Sequence, residues 1–123
     1  MADSRNPMLQ WSCDDGVAVV EVMAREIQGP EAAAALGEEL GALLRSGQTR
    51  LLLDFGETRV MSSTAFGTLL NFWKQVDAAR GELRICSMDP PVRFGADILH
   101  LGEYIPIHDD RPSAMDAFAQ GSL

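Results

Sequence analysis

The sequence predicts an α/β fold, a mixed but mainly parallel sheet with helices packed on it, and three observations carry that prediction. A short continuous apolar run, Leu51-Leu52-Leu53, ends in Asp54 and reads as a central strand covered on both faces. Apolar residues recur at helical spacing on either side of it: Ala33, Leu36, Leu40, Leu43 and Leu44 before, and Phe66, Leu69, Leu70, Trp73 and Val76 after. Near the start, two strand-like runs flank Asp14-Asp15-Gly16, and an Asp-Gly pair favours a tight hairpin because glycine tolerates positive φ.

Residues 1–7 are polar and contain Pro7, so they are expected to form a disordered tail ahead of a single domain over residues 8–120. The hairpin strands are placed at Leu9 to Cys13 and Val17 to Met23. Gln28-Gly29-Pro30 then breaks the pattern; Pro30 suits a first helical turn, and Glu31 favours the positive end of the helix dipole. Gly47 ends this first helix as a C-cap. Beyond the central strand, Ser62-Ser63-Thr64 offers hydroxyls to cap a second helix, expected from Ser63 to Arg80 with Gly81 as its stop. A strand at Leu83 to Ser87, a helix from Pro90 to Ile98, a short strand at Tyr104 to Ile107 and a helix from Pro112 to Ala119 complete the chain. The order is β-β-α-β-α-β-α-β-α, with four helices. Repeated strand-helix-strand units imply right-handed crossovers and parallel pairing behind the antiparallel hairpin.

The 123 residues fit one domain with a substantial core, and 46% hydrophobic with 23% charged residues is ordinary for a soluble protein. Acidic residues outnumber basic ones 18 to 10, a formal charge of -8, and the basic ones are scattered. A phosphate backbone would be repelled, so nucleic acid is not an expected partner. No run reaches the roughly 18 apolar residues of a membrane span, and Met1 to Pro7 lacks the apolar region of a signal peptide, so the expected location is the cytoplasm without membrane insertion. Cys13 and Cys86 lie far apart in strand-like runs and are expected as buried, reduced thiols.

The familiar catalytic patterns are missing from the sequence: Ser63 has no Gly-x-Ser-x-Gly setting, and neither a GxxxxGK[ST] loop nor a GxGxxG element is present. His100 and His108 share no metal-ligand spacing and are expected at the surface or in loops. Neither an enzyme nor a metal or other cofactor is expected.

The stretch Leu51-Leu52-Leu53-Asp54-Phe55-Gly56-Glu57-Thr58-Arg59-Val60-Met61-Ser62-Ser63-Thr64-Ala65-Phe66-Gly67 resembles the signature of STAS domains, in particular the bacterial anti-sigma factor antagonists. Those domains carry a hydrophobic strand ending in Asp, a short loop, and Asp-Ser-Ser-Gly-Leu-Gly at a helix start. An ungapped match sets Asp54 on the strand's Asp, Ser62 on the motif's Asp, Ser63 on its phosphorylated Ser, Thr64 on the second Ser and Ala65 on the Gly; Gly67 keeps the second glycine. The resemblance extends from Gly16 to Phe118 and implies a STAS-like fold. It also implies a non-enzymatic antagonist that binds an anti-sigma factor or related serine kinase, is released when that Ser is phosphorylated, and is restored by a phosphatase. Two departures stand out: Ser62 replaces the acidic residue beside the phospho-acceptor, and Ala24-Arg25-Glu26-Ile27 replaces the family's Gly-x-Leu-Asp after the second strand. They keep open a second class, a non-switching structural subunit like the STAS proteins of lipid-transport ABC complexes.

The candidate site is thus Ser63, with Thr64 the second choice for phosphorylation, and a partner-binding surface of Asp54, Ser62, Ser63, Thr64, Ala65, Thr68 and Phe72. Ser63, Asp54 and Phe72 each have a plainer role as well. Ser63 can be an N-cap, a role compatible with phosphorylation, because a phosphate is favoured by the dipole and free N–H groups at a helix start. Asp54 is expected to order the loop from Gly56 to Met61 by accepting backbone hydrogen bonds. Phe72 is either core or an exposed hot spot beside Ser63.

Overall fold

The computed structural model describes residues 8–121. The chain opens as an antiparallel hairpin of β1 (Leu9–Asp14) and β2 (Val17–Val22), in register from Leu9 opposite Val22 to Asp14 opposite Val17. Asp15 and Gly16 both take positive φ, 52° and 79°, as a two-residue turn matched to strand twist requires. The strand β2 pairs in parallel with β4 (Arg50–Asp54), β4 with β6 (Glu82–Cys86), and β6 with β7 (Ile107–His108), giving the sheet order β1-β2-β4-β6-β7 once β3 and β5 are set aside. Those two are the segments Glu26–Ile27 (β3) and Val60–Met61 (β5), which pair in parallel as a separate two-stranded sheet. Nothing in the sequence pattern announces them, since two residues are too few to show a period.

The three-leucine run lies at the centre, and the pleat divides it. Leu51 and Leu53 join the core under α1 (Gly29–Arg45), α2 (Ser63–Ala78) and α3 (Pro90–Ile98), whereas Leu52 joins Val17, Val19 and Cys86 beneath Ala114 and Phe118 of α4 (Arg111–Gly121). Three helices therefore cover one face of the sheet and one covers the other. Two guanidinium groups lie over the Phe118 ring, Arg50 at 5.5 Å and Arg84 at 5.4 Å from its centre, and Arg50 Nη2 donates to the Phe118 carbonyl at 3.0 Å.

Several expectations are corrected in detail. The buried stripe of α2 is Ala65, Phe66, Leu69, Phe72 and Val76; Leu70 and Trp73 are only half-buried, and Trp73 packs edge-on against Tyr104 at 5.2 Å. The helix ends at Ala78, because Arg80 takes a left-handed φ of 59° and the Gly81 N–H returns to the Val76 carbonyl at 2.9 Å. Gly81 is needed for space, since a Cβ there would collide with the Thr49 carbonyl oxygen. Tyr104 precedes the last strand, Ile107–His108, and follows a short 3-10 turn at Leu101–Glu103. Cys13 is exposed, because β1 is an edge strand that α1 only partly covers; Cys86 is buried and free, its thiol pushed up to about 11 by burial. His108 lies half-buried in β7 rather than in a loop. The proposed tail, residues 1–7, falls outside the described residues. Among the described residues no helix is long and apolar enough to cross a membrane.

Candidate functional site

The site is built at the carboxyl end of β4, where α/β sheets commonly place functional groups. Asp54 closes the strand with its side chain 15% exposed. Its Oδ1 accepts the Gly56 N–H at 2.8 Å, the loop-ordering bond expected of it. Its Oδ2 accepts from Arg111 Nη2 at 2.8 Å, and the same nitrogen reaches Glu21 Oε2 at 3.3 Å. Asp54 in turn holds the Arg111 guanidinium above its ordinary pKa. Asp110, just before α4, accepts the Ser113 N–H at 2.9 Å, which holds its carboxyl below the usual range.

Beyond Asp54 the loop is fastened to the segment after β2. Thr58, wholly buried, donates its hydroxyl to the Ala24 carbonyl at 2.8 Å, while the Arg59 N–H donates to the Arg25 carbonyl at 2.8 Å and Arg59 Nη1 to the Gly56 carbonyl at 2.7 Å. The β3–β5 pair follows, and the Ser62 N–H donates to the Ile27 carbonyl at 3.0 Å. The ladder thus runs right up to the start of α2 and fixes how that helix is presented.

At the helix start the roles of two adjacent serines separate. Ser62, with φ -82° and ψ 164°, is the N-cap: its Oγ accepts the Ala65 N–H at 3.3 Å. The cap role considered for Ser63 therefore belongs to Ser62, one residue earlier, because the ladder holds Ser62 in extended backbone. Ser63 is the first helical residue, and both it and Thr64 are exposed. Thr68, half-buried, turns its hydroxyl back to the Thr64 carbonyl at 3.2 Å. Ala65 is buried, and so is Phe72 at 1% exposure; its ring belongs to the core, so the alternative of an exposed hot spot is corrected. A shallow groove between α1 and α2 opens beside Thr64, lined by Gly37, Gly41, Thr64, Thr68 and Asn71. The helices are close here, for a Cβ at Gly37 would lie 3.2 Å from Thr68 Cγ2.

Ser62, Ser63 and Thr64 are thus brought together at one surface, and Asp54 lies behind the loop that leads to them. Thr58, Glu21 and Arg111 were missed by sequence reasoning. Their partners lie 34, 90 and 57 positions away, Arg111 counted from Asp54, and no local pattern signals them. His100 is exposed and touches Glu103 at 3.2 Å, and His108 Nε2 faces Arg84 Nη1 at 3.1 Å. Among the described residues no three His, Cys, Asp or Glu are grouped to hold a metal.

A parallel sheet entered through a hairpin, with a lone helix on its back and a loop-and-helix start braced by a second small sheet, defines a particular class of α/β protein. The chain belongs to the STAS domain family, whose pattern matches residues 19–114. It is similar to a protein of Bordetella bronchiseptica named as the anti-sigma factor antagonist BtrV, with 33% identity over 86 residues covering 70% of this chain and 74% of the relative. The crystal structure of an anti-sigma factor antagonist from Mycobacterium paratuberculosis superposes with a TM-score of 0.79 at 20% identity, over 95% of this chain and 97% of that one. The Bacillus cell fate determinant SpoIIAA in its phosphorylated form matches with a TM-score of 0.65 at 16% identity, over 89% and 98% of the two chains. At these identities the two structures speak for the fold.

Proposed function

We propose that this protein is an anti-sigma factor antagonist: a single STAS domain over residues 8–120 that acts in the cytoplasm, binds an anti-sigma factor or related serine kinase through the start of α2, and is switched by phosphorylation of Ser63. It alters transcription through a protein partner and performs no catalysis itself. The observation that carries this reading is the division of labour between Ser62 and Ser63. Ser62 satisfies the cap, so the exposed Ser63 hydroxyl is left for chemistry without cost to the helix. A phosphate there sits at the positive end of α2 near unpaired N–H groups, so the fold tolerates it while its charge of about -1.5 to -2 changes the docking surface. The names of the sequence relatives support the partner class. Thr64, exposed one residue further on, is the second acceptor.

The test is intact-mass measurement of the protein from its own cells, followed by titration of the recovered partner with Ser63→Ala and Ser63→Asp. Ser63→Ala is expected to bind and to resist phosphorylation, and Ser63→Asp to bind at least about tenfold more weakly. Equal affinity for Ser63→Asp, or recovery of a transporter ATPase with no kinase, would replace the switch with a constitutive structural role.

A further inference from the structure

We propose that Arg111, at the start of the helix on the back of the sheet, is a positioning residue for the phospho-acceptor surface at Ser62 to Thr64. This rests on the functional reading above only for what the surface is used for. The positioning itself is a matter of charge and connectivity. Glu21 and Asp54 are register partners on adjacent parallel strands, so two carboxylates stand side by side at the carboxyl end of the sheet. Like charges placed so are mutually destabilising unless a cation lies between them. Arg111 Nη2 supplies it, at 2.8 Å from Asp54 and 3.3 Å from Glu21.

Asp54 is also the first link of the loop. With Oδ2 held by Arg111, Oδ1 is aimed at the Gly56 N–H; the Gly56 carbonyl takes Arg59 Nη1, the Arg59 N–H binds the Arg25 carbonyl, and the Ser62 N–H binds the Ile27 carbonyl. Without Arg111 the two carboxylates repel, Asp54 turns away, and Gly56 loses its acceptor. The order of the helix start on one face of the sheet thus depends on the seating of α4 on the other.

Amide hydrogen exchange on the whole protein tests this without any partner. Arg111→Ala is expected to speed exchange at Gly56 and from Thr58 to Ser62 by about tenfold, with little change at Leu69 and Phe72 in the middle of α2. Arg111→Lys, a single cation without the guanidinium fork, should recover part of the protection. The decisive variant is Glu21→Gln in the Arg111→Ala background: it removes the repulsion while adding no packing, and protection should return. Unchanged exchange in the loop, an equal rise throughout the chain, or no recovery with Glu21→Gln would each overturn the proposal. Should Ser63 carry no phosphate in cells while these exchange results hold, the functional reading fails and the positioning stands. The reverse combination overturns the positioning alone.

Discussion

The two faces of the sheet are built on different principles. Beneath α1, α2 and α3 the core is continuous from Leu9 to Ile105, and the buried side chains come from every strand of the main sheet but β7. Beneath α4 it is a small cluster, Val17, Val19, Leu52, Cys86, Ala114 and Phe118, and the helix is secured as much by cations as by area: two guanidinium groups on Phe118 and Arg111 on the Glu21–Asp54 pair. The first face should set the stability of the whole domain. The second should open on its own, at a lower free energy than global unfolding.

The largest effect expected is on the first face. Phe72→Ala empties a wholly enclosed site and should cost about 3–5 kcal/mol, read from the denaturant midpoint. Phe118→Ala should cost nearer about 3 kcal/mol, because a thin, one-helix layer can settle into the space. The comparison sharpens through the two thiols: a disulfide reagent should modify exposed Cys13 at once and buried Cys86 slowly, and Phe118→Ala should speed Cys86 while Phe72→Ala at matched stability does so less. Equal rates in the two variants would show that the faces open together.

At the helix start the contrast narrows to neighbours. Ser62→Ala should cost about 1 kcal/mol as a lost cap, and Ser63→Ala within about 0.5 kcal/mol of nothing. Similar losses for both would mean that Ser63 shares the cap. The smallest effect concerns the α4 side. Burial, and then the charge of Arg84, holds the His108 imidazole below its ordinary pKa. The unfolded chain therefore takes up the proton first as pH falls below about 6.5, and stability declines from there through the folded value. His108→Gln should flatten that limb of the pH–stability curve.

The sequence was a good guide wherever a period or a breaker was long enough to read. The Leu51–Leu53 run, the α1 stripe, the Asp15-Gly16 turn and the proline-led third helix all stand where expected. The α2 start at Ser63 also stands where expected, but the cap falls one residue earlier, on Ser62, and the buried stripe takes Phe72 in place of Trp73, two side chains equally apolar on paper. Ser62 and Ser63 are likewise indistinguishable until the Ser62 N–H is seen to bond to the Ile27 carbonyl. The bracing of the site by Thr58, β3 and β5, and its anchoring by Arg111, depend on residues far apart in the chain. A single sequence offers no periodicity from which to infer such contacts.

The close approach of Gly37 to Thr68 bears on how the start of α2 is seated. With no side chain on Gly37, α1 and α2 come close together beside the groove, where an added Cβ would lie 3.2 Å from Thr68 Cγ2. A methyl at that position would make Thr68 give by a few tenths of an ångström, so the seating of the helix start is set in part by the smallness of one residue on its neighbour.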